Sequence, residues 1–256
     1  RVLFRSLEVN VGLLVEETDS TDAFKVSGRG ELHLSILIEQ MRREGYELAV
    51  SKPEVILKED AQGKRSEPVE EVVIEVPEEY SGSIISELNL RKGMMESMNM
   101  RNNRVKLIYK VPTRGLLGLR TVFMNQTRGE GTMVRRFFAY EEHKGEISER
   151  INGTVIALEE GTTTAYALAN IAERAEIFVA PGTHVYEGMI IGLNSRNEDM
   201  VVNPAKAKKA SNIRAAGSDE AIKLPPHRVF TLEEALEFIN DDELVEITPS
   251  NIRIRK

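Results

Sequence analysis

Between residues 69 and 140 the apolar residues change spacing from two to about 3.6 and back again, and then repeat the change. Val69–Val76 alternates as a strand does. Tyr80, Ile84, Ile85 and Leu88 then recur at helical spacing behind Pro77, whose fixed φ suits a helix start, and Gly93 ends the run. Met94–Met100 and Arg104–Lys110 alternate again around a turn at Asn102-Asn103, with Val105, Leu107 and Tyr109 on one face. Thr113 is placed to cap a helix reaching to about Asn125, and Thr132–Tyr140 closes the series as a strand.

That order, β-α-β-β-α-β, is a ferredoxin-like module. A truncated copy precedes it: a helix over residues 1–9, strands at Gly12–Thr18 and Ala23–Ser27, a helix over Gly30–Arg43 and a strand over Tyr46–Lys58. The helix rests on Leu34, Leu37, Ile38 and Met41, with Gly45 as its C-terminal stop. This copy lacks the first strand, as expected of a chain that begins inside a longer protein. The polar stretch 59–67 reads as a linker. Residues 144–256 differ in texture, with short strand signals at Gly153–Leu158, Ile177–Val179 and His184–Leu193. Thr231 with Glu234 forms a capping box ahead of Leu232, Ala235, Leu236 and Ile239. The tail ELVEITPSNIRIRK alternates. The expected fold is α+β: two tandem ferredoxin-like modules, the first truncated (1–66 and 67–143), followed by a mostly-β C-terminal domain (144–256).

The search for catalytic chemistry returns little. No G-x-x-x-x-G-K-[ST] loop, G-x-S-x-G elbow or H-E-x-x-H helix occurs. Gly28-Arg29-Gly30 begins a dinucleotide fingerprint, but His33 stands where its third glycine belongs. His33, His143, His184 and His227 lack metal-ligand spacing, and the carboxylate clusters have the pattern of solvated faces. No catalytic residue, metal site or cofactor site is therefore expected within this chain. There is no cysteine, which fits the reducing cytoplasm, and no apolar run reaches the ~20 residues of a membrane span.

The charge distribution is more informative. The chain is acidic overall, at −7, yet residues 101–136 hold nine Lys/Arg against Glu130 alone. Residues 201–217 hold Lys206, Lys208, Lys209 and Arg214 with no acid. Screening beyond ~8 Å makes local sign decide what each surface meets, so both stretches point to an anionic partner. The first is either ordinary surface charge paired with acids elsewhere or a phosphate-contacting surface, in which Arg104, Lys106, Arg114, Arg120 and Arg128 are the RNA-facing candidates, since guanidinium groups fork onto phosphate oxygens. The second, NPAKAKKASNIRAAG, is too polar for a core and too long for a minimal turn, and is either a functional loop or a flexible linker. Lys206, Lys208, Lys209, Ser211, Asn212 and Arg214 supply the charges and hydrogen-bonding groups used on RNA backbone and 2′-hydroxyls. No aromatic interrupts them, so base stacking is not the expected mode there.

Particular strings carry a resemblance. FKVSGRGELHLSILIEQMRREGYEL with SKPEVILKE resembles domain III of elongation-factor-G-like GTPases. PEEYSGSIISELNLRKGMM with VPTRGLLGLRTVFMNQTRGEGTMVRRFFAYEE resembles their domain V. VYEGMIIGLNSRNEDMVVNPAKAKKASNIRAAGSDEA and TLEEALEFINDDELVEITPSNIRIRK resemble the C-terminal domain of the BipA/TypA family of translational GTPases. The resemblance covers essentially the whole chain. It implies GTP-dependent ribosome binding, a part in subunit assembly and stress adaptation, and a basic loop reaching toward large-subunit rRNA and the acceptor arm of A-site tRNA. It also implies that GTP and Mg²⁺ are held by a domain this chain lacks. On this sequence the loop falls at Asn203–Gly217. The alternative expectation is a small-molecule sensor, because tandem ferredoxin-like modules also build regulatory ligand sites.

Overall fold

The structure is a computed structural model that describes residues 12–19, 23–147, 150–206 and 223–256. The helix expected over residues 1–9 lies outside them. The chain divides into two compact units, Pro53–Glu149 and a second formed by Arg1–Lys52 with Arg150–Lys256. This division differs from the boundaries read at 66/67 and 143/144. Among the described residues no helix is long and apolar enough to cross a membrane.

In the discontinuous unit, Leu14–Glu17 (β1) and Phe24–Ser27 (β2) form an antiparallel pair with Val15 opposite Val26. Glu31–Arg43 (α1) follows, burying Leu37 and Ile38, and then Leu48–Ser51 (β3). The strand expected over Tyr46–Lys58 stops early. Pro53 follows two residues after β3 and has no amide proton to donate to a ladder.

The continuous unit begins with Lys58–Glu59 (β4), which folds back on Arg65–Pro77 (β5). The Asp60 carboxylate accepts the Gln62 and Lys64 amides at 2.8 and 2.9 Å, and Gly63 takes a positive φ. The expected linker is therefore a hairpin, and its polar composition is turn chemistry. Glu78–Leu90 (α2), Met94–Arg101 (β6) and Arg104–Pro112 (β7) come next. A single 3₁₀ turn occupies Thr113–Leu116, then Leu119–Gln126 (α3) and Thr132–Glu142 (β8) complete the unit. The helix expected from Thr113 to Asn125 is thus broken. Leu117 is extended, Gly118 starts α3 at φ 70°, and a Cβ on Gly115 would meet the Arg91 carbonyl at 2.6 Å.

The strands order β8-β5-β7-β6, all antiparallel, which is the ferredoxin-like arrangement. Val72, Ile74 and Val76 of β5 and Val105, Leu107, Tyr109 and Val111 of β7 pack against Ile84 and Leu88 of α2 and Phe123 of α3. These side chains are almost wholly buried, and each contributes about 1.5–3 kcal/mol of transfer free energy. The opposite sheet face, with Glu71, Glu75, Lys106 and Lys110, stays uncovered by the helices.

The remaining elements are Thr154–Ala157 (β9), Gly161–Thr162 (β10), Ala165–Ala172 (α4), Ala175–Ile177 (β11), His184–Val185 (β12), Met189–Asn194 (β13) and Met200–Val202 (β14). Leu232–Phe238 (α5), Leu244–Ile247 (β15) and Ile252–Arg255 (β16) follow. Their main sheet runs β14-β9-β13-β16-β15-β3, with β11 on β13. Strand β3 therefore pairs with β15, Leu48 opposite Ile247, rather than with β1 or β2. Its inward residues Leu48 and Val50 join the core that holds Ile38 of α1 and Leu232, Ala235 and Leu236 of α5. A second core gathers Val155, Leu168, Ile171, Ile177, Val185 and Ile191. The Thr231–Glu234 capping box is present as expected.

Candidate nucleic-acid interface

Residues 203–206 leave the end of β14 under four separate constraints. The Asn203 side-chain amide donates to Glu159, and its carbonyl oxygen accepts the Ala205 amide at 2.9 Å. The Thr164 amide donates to the Pro204 carbonyl at 3.0 Å, and the Thr164 hydroxyl donates to the Lys206 carbonyl at 2.7 Å. The same hydroxyl accepts the Ala167 amide, so one side chain both starts α4 and holds residue 206. Gly161 lies against Ala205 so closely that a Cβ there would come within 2.7 Å. Lys206 itself is exposed.

On the other side of the basic stretch, Leu224 packs against the second core. The Arg228 amide donates to the Ile177 carbonyl at 2.8 Å, and its guanidinium lies 4.4 Å over Phe230. Phe230 in turn meets Phe178 and Phe238 at centroid distances of 4.8 and 5.0 Å. Both ends of the basic stretch are thus fastened to the same unit. Lys208, Lys209, Ser211, Asn212 and Arg214 lie outside the described residues.

The five candidates of residues 101–136 do not share one surface. Arg104 and Lys106 project from β7 on the side away from the helices, whereas Arg120 belongs to α3 and is exposed there. Arg128 sits in the turn after α3 at φ 50°. Arg104 pairs with Glu75 at 3.1 Å and also donates to the Glu75 and Glu130 carbonyls. Arg114 is taken up within the unit, by both Glu67 oxygens and the Gly145 carbonyl. Among the described residues, Lys106, Arg120 and Arg128 enter no ion pair, so these three keep their charge available to an outside anion.

Sequence reasoning missed the anchors Thr164, Asn203 and Glu159. The signal was present in the capping residue Thr164 ahead of Ala-Tyr-Ala-Leu, which marks α4, but no local pattern connects it to residue 206, 42 positions away. In line with the alternative expectation of surface charge paired with acids elsewhere, Arg135 and Arg136 are balanced by Glu70 and Glu71 on the neighbouring strand, at 3.7 and 2.8 Å. Two of the nine cations counted there are thereby neutralised locally. Among the described residues no group of three or more His, Asp or Glu side chains is placed to hold a metal.

Comparison with known proteins agrees with this architecture. The family profile "TypA/BipA C-terminal domain" matches residues 152–256, and "Elongation factor G C-terminus" matches residues 64–151. The chain is 50% identical over 256 residues to the large ribosomal subunit assembly factor BipA of Escherichia coli (strain K12), covering 99% of this chain and 42% of that protein. It is likewise 50% identical over 252 residues to the protein of the same name from Bacillus subtilis (strain 168), covering 98% of this chain and 41% of the relative. The chain therefore spans about two fifths of the length of these relatives. Across that span, with both profiles meeting end to end, the chain belongs to the TypA/BipA family.

Proposed function

We propose that this chain is the ribosome- and RNA-contacting C-terminal part of a cytoplasmic translational GTPase, acting in translation regulation, large-subunit assembly and stress adaptation. What supports the reading is the anchored base of the basic segment, where Asn203 is tied to Glu159, and Pro204 and Lys206 to Thr164 at the start of α4, in a domain matched by the family profile. Relatives of half-identical sequence carry the name large ribosomal subunit assembly factor.

The mechanism is positional. Lys206, Lys208, Lys209 and Arg214 neutralise phosphates of large-subunit rRNA and of the A-site tRNA acceptor arm, releasing their counterions. Ser211 and Asn212 hydrogen-bond backbone oxygens and 2′-hydroxyls. Lys106, Arg120 and Arg128 add charge on the continuous unit. GTP and Mg²⁺ bind elsewhere in the full-length protein, and the nucleotide state shifts it between tight and releasing conformations through differential contacts. This chain performs no turnover of its own.

The chain has no cysteine, so Ser211→Cys offers a unique attachment point for an iron chelate that generates hydroxyl radicals. Bound to ribosomes carrying A-site tRNA, the tethered chelate is expected to cleave large-subunit rRNA and the tRNA acceptor arm. Cleavage confined to the small subunit, or none while the protein remains bound, contradicts the reading.

A further inference from the structure

The β6 edge of the continuous unit is built unlike a protected sheet edge. Strand β6 lies at the end of the order β8-β5-β7-β6 and pairs only with β7 among the described residues. Its outward amides and carbonyls make no other hydrogen bond there. Exposed edges are normally blunted by lysine or proline, by short length, or by a bulge. Strand β6 runs eight residues, Met94–Arg101, with neither Lys nor Pro. Its one irregularity lies between Met95 and Ser97, which leaves Ser97–Arg101 in regular register. Its one acid, Glu96, is held by Lys110 at 2.6 Å.

Four of the eight side chains along this edge are apolar and uncovered. Met94, Met95, Met98 and Met100 are 55, 38, 46 and 57% exposed. Register puts Met95, Met98 and Met100 on one face, opposite the buried Tyr109, Leu107 and Val105 of β7. Unbranched thioethers adapt to varied apolar partners. The unpaired charge nearby is positive: Lys92 just before the strand, Arg101 at its end and Lys106 on the adjacent β7 are exposed and have no ion pair among the described residues, whereas Glu96 and Glu75 are paired with Lys110 and Arg104. A second copy pairing antiparallel through a two-fold axis would set Lys92 of one chain beside Arg101 of the other, a like-charge contact.

We propose that the outer edge of β6 is a docking strand for an extended, acidic segment of a partner protein. The segment adds to the sheet beside β6, lays alternate apolar side chains on Met95, Met98 and Met100, and places carboxylates against Lys92, Arg101 and Lys106. Main-chain hydrogen bonds supply affinity, and the three cations select an acidic sequence over a basic one.

The test is hydrogen-exchange mass spectrometry on the whole chain, following residues 94–101. The probes are a nine-residue peptide alternating valine and glutamate, its valine–lysine counterpart, and oligouridylate. The glutamate peptide is expected to slow exchange in this strand by about fivefold or more, the lysine peptide not at all. In a Lys92→Glu, Arg101→Glu variant the protection should pass to the lysine peptide, an exchange of preference that simple misfolding cannot produce. Protection by neither peptide, protection by oligouridylate alone, or protection that grows with protein concentration and no added peptide would each overturn the proposal, the last in favour of self-association.

Discussion

The Arg114 guanidinium closes on the Glu67 carboxylate at 2.5 Å, and Glu67 has no solvent exposure at all. The Lys144 amide also donates to Glu67, at 2.7 Å, so one buried acid ties β5 to the 3₁₀ turn and to the residues after β8. Burial alone would raise the Glu67 pKa, but the Arg114 hydrogen bonds and the Lys144 amide outweigh it and hold the group below its ordinary value. Glu67→Gln is expected to cost about 1–3 kcal/mol, because Arg114 keeps its charge beside a neutral partner. Chemical denaturation of the two proteins at neutral pH measures this.

Acid should reveal the same group. Asp199 behaves alike: burial raises its pKa, and Lys256 together with Thr154 brings it below the ordinary value. A carboxylate whose pKa is depressed by folding stabilises fully above its unfolded pKa and loses that contribution as pH falls through the folded one. Stability should therefore hold down to the ordinary values of 4.5 and 3.8 and decline beneath them. The Glu67→Gln chain should show a shallower decline over that range, followed by thermal unfolding at stepped pH.

Gly153 faces the backbone of Glu198 and Asp199, and a Cβ there would overlap main-chain atoms that cannot rotate away. Gly153→Ala is expected to destabilise the discontinuous unit by about 1–3 kcal/mol through displacement of β9 and the turn before β14. Gly30, where nothing lies within 4 Å of a new Cβ, is the matched control and should change little. Differential scanning calorimetry distinguishes the two.

Thr164 links helix start to loop base, so its substitution should affect binding and stability together. Thr164→Val is expected to cost about 1 kcal/mol of stability. Under the proposed function it also weakens ribosome affinity by about fivefold, the equivalent of one hydrogen bond. Thr164→Ser, which keeps the hydroxyl, should restore both. A valine variant with lowered stability and unaltered affinity would confine Thr164 to the fold.

Much of this architecture is legible in the sequence where period and burial coincide. Strand β7 reads directly, because Val105, Leu107 and Tyr109 alternate with Lys106 and Lys110 in a half-buried sheet. The capping box at Thr231 is equally local. What escapes is whatever depends on distant partners. Strand β3 carries no mark that it will join β15, nearly 200 residues on, since four apolar-alternating residues complete any compatible edge. The break between the 3₁₀ turn and α3 falls where Gly115 packs closely on Arg91 and the Arg91 guanidinium donates to the Gly115 and Leu117 carbonyls, tertiary contacts invisible to helix propensity. The candidate site divides the same way. Its lysines announce themselves by composition, whereas Arg114 looks like a surface cation until Glu67 is found buried beside it.

The most direct test of the proposed function is co-sedimentation of this chain with purified ribosomes across a salt series, beside a Lys206→Ala, Lys208→Ala, Lys209→Ala variant. Each phosphate neutralised contributes close to one unit to the slope of log affinity against log salt, so the variant should bind more weakly with a slope shallower by about 2–3 units. The single Lys206→Ala chain, altered at an exposed side chain, should change in stability by less than about 0.5 kcal/mol. Equal slopes for the two proteins would contradict the account and remove the basic segment from the interface.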